Sequence, residues 1–137
     1  MNTSRYIGGI VALTALLLCS CSVSHHVNGF YELSDYPDNT IIGKPIATVS
    51  DFERVSIQTV GDMNVIEGRL NPDARIIFAN ATERLTGHRI GFVFNDSIIT
   101  APQINSRIDS GNFQIISPDT GLTRKIYIDI TSAGTTK

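Results

Sequence analysis

The chain has 137 residues, of which 11 are basic and 13 acidic, and its formal net charge is −2. This length is enough for one modest domain, and a second independent domain is not expected. The basic residues are scattered and form no run of like charge, so the sequence lacks the electrostatic footprint of a nucleic-acid-binding protein. We therefore expect no nucleic acid among its partners.

Residues 1–20 have the order of features typical of a bacterial signal peptide. Arg5 supplies positive charge, and residues 7–18 form an apolar run shorter than the roughly 20 residues that span a bilayer. Leu18-Cys19-Ser20-Cys21 resembles the lipobox of bacterial lipoproteins, which has a small residue directly before the modified cysteine. We expect cleavage before Cys21 and lipid attachment there, and an uncleaved anchor or an ordinary secretory leader is the alternative.

Lipid attachment at Cys21 would make the membrane a partner of the chain, because each buried CH₂ of an acyl chain contributes about 0.8 kcal/mol. The residues after the cysteine include no aspartate at the sorting position, which by resemblance to lipoprotein sorting signals favours the outer membrane, facing the periplasm. Residues 21–28 are interpreted as a linker. Its histidines, His25 and His26, have no second group of ligands at suitable spacing, so neither a metal nor another cofactor is expected.

The rest of the chain, residues 29–131, is predicted to be one α+β domain: a small, mostly antiparallel sheet with one principal helix packed on one face. The strands are indicated by short runs that alternate apolar and polar residues. They are expected at 29–33, 44–49, 54–60, 63–70, the two arms of 89–100, and 113–116. Ser50 and Glu53 have the capping-box spacing, which predicts one helical turn between the second and third strands.

The principal helix has well-defined ends in the sequence. Asn71 is a preferred N-cap and Pro72 suits the first helical position, while Gly87 can end the helix in the left-handed conformation. The expected buried face consists of Ala74, Ile77, Phe78, Ala81 and Leu85.

The elements after this helix are less uniform. Asn95-Asp96 tolerates positive φ and predicts a tight hairpin turn, and Pro102 ends the second arm because it has no ladder N–H. Residues 104–108 are predicted as a loop or a short strand. Residues 122–131 fit either a strand or a short helix, and residues 132–137 are expected to be disordered.

Catalytic motifs are missing from the sequence. It has no Gly-x-Ser-x-Gly elbow, no phosphate-binding Walker loop, no His-Glu-x-x-His, and no cysteine after Cys21. The acidic residues stand singly in turns, where solvation and turn capping explain them. We expect that the protein is not an enzyme.

The order of motifs resembles the head subdomain in the first periplasmic domain of the protein-export factors SecD and SecDF. The similarity extends over residues 44–117. It is carried by Leu70-Asn71-Pro72-Asp73-Ala74, by Phe78, Ala81 and Thr82, by Gly87-His88-Arg89-Ile90-Gly91-Phe92-Val93-Phe94-Asn95-Asp96, by Ile99-Thr100-Ala101-Pro102-Gln103-Ile104, and by Ile108, Gly111 and Ile115.

The resemblance implies a head module that contacts emerging polypeptide, placed here on a lipid anchor. The partners it implies are unfolded secreted polypeptides or components of the Sec translocon. An envelope structural lipoprotein or a small-ligand-binding lipoprotein that reuses the fold is the alternative. The candidate interaction surface consists of Asn95, Asp96, Ser97, Pro102, Gln103, Asn105, Arg107 and Asp109; the alternative is that residues in this region serve only the fold.

Overall fold

The computed structural model describes residues 24–133, so the predicted signal peptide, Cys21 and residues 134–137 lie outside the described part of the chain. The α+β class predicted from the sequence is confirmed. The elements in chain order are β1 (Gly29–Leu33), β2 (Ile41–Thr48), a 3₁₀ turn (Val49–Asp51), β3 (Phe52–Val60), β4 (Met63–Leu70), α1 (Pro72–Arg84), β5 (Arg89–Phe94), β6 (Ser97–Thr100), β7 (Asn112–Ile116) and α2 (Thr120–Ala133).

The strands are divided between two antiparallel sheets rather than joined in one. The first sheet has four strands in the order β2-β1-β5-β6, and the second has three in the order β3-β4-β7. In the second sheet, β4 is the central strand and pairs with β3 on one side and with β7 on the other. This division leaves four edge strands, two in each sheet.

Phenylalanine side chains from both sheets and from α1 form the centre of the core. The Phe30 ring on β1 lies 5.3 Å from Phe92 on β5 and 5.1 Å from Phe113 on β7, measured between ring centroids. It also lies 5.9 Å from Phe52 on β3 and 5.6 Å from Phe78 on α1. Aromatic pairs at these separations contribute more to stability than the burial of their surface area alone would give. This cluster therefore holds the two sheets together.

The predicted cap of α1 is present, and one predicted buried residue is not buried. The Asn71 side-chain oxygen accepts a hydrogen bond from the Ala74 N–H at 2.8 Å, and Gly87 has φ +87° after the helix. Ile77 was expected in the core, but it is 57% exposed. The buried face is turned toward Thr82, which is fully buried and whose hydroxyl accepts from the Ile108 N–H at 2.9 Å.

Three other local predictions are resolved or corrected. The capping box is formed by Thr48 and Asp51, two residues earlier than predicted, with the Thr48 N–H donating to the Asp51 carboxylate at 2.8 Å. The segment around Ile104 to Ile108 is a loop. Of the two alternatives for the end of the domain the helix is correct. α2 continues through Ala133, so Ser132 and Ala133, which were predicted to be disordered, are helical.

The two hairpins with two-residue loops have the turns that their residues require. Asn95 and Asp96 have φ of 48° and 63°, the two positive values of a type I′ turn, so the predicted tight hairpin is confirmed. Gly61 alone has positive φ, at +60°, in the turn between β3 and β4, as a type II′ turn requires. Val60 and Met63 face each other across this turn.

Gly68→Ala is expected to lower the free energy of unfolding by about 1–3 kcal/mol, because an added methyl group would overlap the ring of Phe113. Chemical denaturation followed by circular dichroism measures this change. Gly121→Ala is the control, since it lies in α2 without such an overlap and alanine favours helix. Equal stability of the two variants would contradict this packing.

Candidate interaction surfaces

The structure separates the predicted surface into two groups at opposite ends of β5. Asn95, Asp96 and Ser97 lie at the turn that follows β5, whereas Gln103 pairs with Arg89 at its start. Six residues of strand span about 17 Å, so the two groups do not form one site.

The turn group binds the chain's own N-terminal segment. Asp96 accepts from the His26 N–H at 2.6 Å and makes a 2.8 Å contact with Nδ1 of His25, while the Asn95 N–H donates to the Asn28 side chain at 2.8 Å. His25 and His26, in the segment interpreted as a linker, thus contact the β5–β6 turn, while the His25 side chain remains 76% exposed. The hydrogen bond from His25, followed by that from the His26 N–H, lowers the pKa of Asp96.

We expect that the pKa of Asp96 lies below 3.8, its ordinary value, and that His25→Ala raises it toward that value. A pKa lowered by folding means that the ionised carboxylate contributes stability above pH 3.8, which is lost as the pH falls through the folded-state pKa. NMR titration of the side-chain carboxyl carbon measures it. His88→Ala is the control: it removes the 3.0 Å partner of Asp35 and should leave the pKa of Asp96 unchanged. A pKa of Asp96 insensitive to His25→Ala would contradict the contact.

The second group holds the loop before β7 against α1. Arg107 forms ion pairs with Asp109 at 2.6 Å and with Glu83 at 2.7 Å, and these hydrogen bonds raise the pKa of Arg107. The Asp109 backbone carbonyl accepts from Arg75, and Gln103 donates to the Gly87 carbonyl at 3.1 Å. These side chains are engaged within the chain, while Asn105 is exposed to solvent.

Pro102 borders a small apolar cleft between the two sheets. The cleft has a volume of about 90 Å³, and its other lining residues include Phe30, Ile104 and Phe113. Pockets for small organic ligands usually have volumes of about 300–1,000 Å³. The size of this cleft therefore gives no support to the alternative of a small-ligand-binding protein.

A larger surface, which the sequence reasoning missed, is the face of the three-stranded sheet that points away from the core. We call it the outer face, and a groove of about 930 Å³ crosses it. Its polar side chains are those of Arg54, Ser56 and Gln58 on β3, Glu67 and Arg69 on β4, and Asn112 and Gln114 on β7. Alternation places these residues on one side of the sheet.

Charge on the outer face is arranged unevenly. Glu67 accepts hydrogen bonds from Gln58 at 2.9 Å and from Gln114 at 3.1 Å, so neutral amides occupy both of its oxygens. Arg54 lies directly opposite Arg69 in the register of β3 and β4, and within residues 24–133 neither has an ion-pair partner. Like charges directly opposite each other destabilise a strand pair.

The four edge strands differ in how open they are to another strand. β2 contains Gly43, Lys44 and Pro45, and glycine, lysine and proline all discourage pairing at an edge. β6 has four residues and β7 has five, and these two strands lie against each other without pairing. β3 has nine residues, contains no proline, and pairs with no described strand other than β4. It is the longest open edge in the described part of the chain.

The direction of the free backbone groups on β3 follows from its turn. Val60 and Met63 are the first and fourth residues of a two-residue hairpin turn, and so form a hydrogen-bonded pair. Hydrogen-bonded and non-hydrogen-bonded pairs alternate along an antiparallel ladder. The backbone N–H and C=O groups of Val55, Ile57 and Thr59 therefore point away from β4, toward the open edge.

The geometry thus defines a small α+β domain with an open nine-residue strand edge beside a polar groove. The sequence matches the family described as SecDF, P1 head subdomain, over residues 30–123, which is more than half of the chain. The protein belongs to this family, as the motifs in the sequence predicted.

Solved structures agree on the fold. A structure of SecDF, described as a membrane component that enhances protein export, matches with a TM-score of 0.67 and 16% identity, covering 79% of this chain and 63% of that chain. A crystal structure of SecDF in its super-membrane-facing form matches with a TM-score of 0.60 and 20% identity, covering 70% of this chain and 13% of that chain. This chain therefore spans less than two thirds of either. No curated protein matches the sequence.

Two further observations concern residues 24–133. Neither α1, with 13 residues, nor α2, with 14, is long enough to cross a membrane. No group of three or more histidine, cysteine or carboxylate side chains in this part of the chain is placed to hold a metal ion.

Proposed function

We propose that this protein is a non-catalytic, lipid-anchored interaction domain of the cell envelope, which binds extended segments of exported polypeptides by strand addition to β3. The open edge of β3, in a chain that belongs to the SecDF P1 head family, is the observation that carries this proposal. An extended peptide that joins a sheet edge gains main-chain hydrogen bonds that do not depend on its sequence. Such binding suits a domain that meets many different unfolded chains.

Two features support the role of β3 in this binding. Its outward N–H and C=O groups, on Val55, Ile57 and Thr59, remain without strand partners in the described chain. Its sheet is held from the inner side by α2 and by the phenylalanine cluster, so a guest strand would meet a preformed edge. Preorganised edges bind more tightly because little ordering cost remains.

The envelope location rests on the sequence around Cys21 and on the family. Cys21 is the proposed lipidation site, and the outer membrane, facing the periplasm, is the proposed location. SecDF is described as a membrane component that enhances protein export, which supports a partnership of this domain with exported polypeptides or with Sec translocon components. An anchored domain with an open edge would hold segments that have already crossed the inner membrane.

Photocrosslinking in cells tests strand addition. A photoreactive residue at Gln58, on β3, is expected to capture many secreted polypeptides or translocon subunits. One at Lys44, on β2, should capture few, because the glycine and proline beside it discourage strand pairing at that edge. Thr59→Pro in the Gln58-labelled protein should reduce capture at least about fivefold, because proline removes an outward N–H without breaking the ladder to β4.

Thr59→Ala is the matched control for the proline variant. It also loses the 3.0 Å hydrogen bond from the Thr59 hydroxyl to Asn64, but it keeps the backbone N–H, so capture should persist. Circular dichroism establishes that both variants are folded. Equal capture by both folded variants, or capture from Gln58 of a single discrete envelope protein, would contradict the proposal.

A further inference from the structure

The arginine pair on the outer face has no internal explanation in the described chain. Arg54 and Arg69 are exposed and directly opposite each other, an arrangement that costs stability unless an anion lies between or beside them. Arg107, another exposed arginine, is in contrast paired with Asp109 and Glu83. The pair differs from a single solvated surface arginine in that two like charges lie directly opposite each other.

Neighbouring carboxylates do not neutralise the pair. Glu67 shares the outer face, but its two oxygens accept from Gln58 and Gln114, and it forms no ion pair with either arginine in the described chain. Glu53 also borders the groove, and it forms no ion pair with either arginine. The guanidinium groups are thus available to an external anion.

The position of Arg54 decides which anion fits best. Arg54 lies on β3, the open edge strand, so a guest strand added there would place one side chain directly beside it. Cross-strand neighbours have Cβ atoms about 4.5–5.5 Å apart, within reach of a carboxylate. Guanidinium and carboxylate groups form paired, charge-assisted hydrogen bonds, and Asn112, opposite Arg69, adds an amide in the same row.

We infer that the Arg54–Arg69 pair is a specificity site that favours guest strands carrying an aspartate or glutamate beside Arg54. This inference rests on the proposed strand addition and adds the chemistry of the preferred segment. The other β3 side chains on the outer face, after Arg54, are those of Ser56, Gln58 and Val60, none of which is charged. The acidic preference is therefore confined to the end of the edge near Arg54. Uncharged guest strands still bind, through the backbone alone.

Peptide binding to the full-length chain tests the inference. The probes are two blocked octapeptides of alternating threonine and valine, one with a central glutamate and the other with glutamine at that position. Fluorescence anisotropy at low salt should show at least about tenfold tighter binding of the glutamate peptide, equivalent to about 1.4 kcal/mol. The preference should shrink as salt is raised, because the pair is exposed.

Arg54→Ala and Arg69→Ala should each remove most of the preference and leave the affinity for the glutamine peptide unchanged. Arg124→Ala removes one exposed charge from α2 and is the control for net charge. Thr59→Pro should weaken both peptides equally, which separates strand addition from charge selection.

The outcomes distinguish the inference from the function on which it rests. Equal affinity for the two peptides, or a preference that survives both arginine variants, overturns the acidic specificity and leaves strand addition standing. If neither peptide binds, both the acidic specificity and the proposed strand addition are overturned. Binding of phosphatidylglycerol vesicles that needs both arginines, with no difference between the peptides, would assign the pair to lipid phosphate and overturn the inference.

Discussion

The packing of Phe30 against phenylalanines from three other strands and from α1 is the interaction on which the rest of the structure depends. Phe30 is 5% exposed and lies on β1, an interior strand of the four-stranded sheet, where it faces Phe92 on its own sheet and Phe113 on the other. Gly68 makes room for the Phe113 ring. Because the sheets share no strand, these rings, with the helices beside them, hold one sheet in place against the other.

This arrangement determines which surfaces remain open. α2 adds Ile126 and Ile130 to the core, so the inner face of the three-stranded sheet is covered. The outer face and the edge of β3 are left to solvent, and the charged pair Arg54 and Arg69 lies where they meet. Some residues of the first predicted interaction surface are engaged within the chain, since Asp96 holds the N-terminal segment and Arg107 holds a loop against α1.

Local signals predicted the parts of the fold that local chemistry determines. Asn71 and Pro72 specify the start of α1, and Asn95-Asp96 specifies its hairpin, because caps and turns depend on a few adjacent residues. The 122–131 segment was ambiguous because Ile126 and Ile130 also share one helical face, and contact with β4 and β3 favours the helix, in which Ile128 is exposed. Ile77 was misplaced because helical spacing does not show how far round the helix the neighbours extend.

The candidate surfaces depend on distant pairings that one sequence does not reveal. The contact between His25 and Asp96 joins residues separated by 71 positions in the sequence. Arg54 and Arg69 lie opposite each other only because of the register in which β3 pairs with β4. The openness of β3 likewise depends on which strands lack neighbours. Family membership, in contrast, was predictable, because its motifs are runs of adjacent residues.

Amide hydrogen exchange, resolved by residue with NMR, tests strand addition to β3 most directly. In the free chain, the N–H groups of Val55, Ile57 and Thr59 should exchange faster than those of Ser56 and Gln58, which are bonded to β4. Adding an unfolded secreted polypeptide should slow exchange at the three outward positions and leave the other two nearly unchanged. Protection that arises elsewhere, with the outward amides of β3 still exchanging freely, would contradict the account.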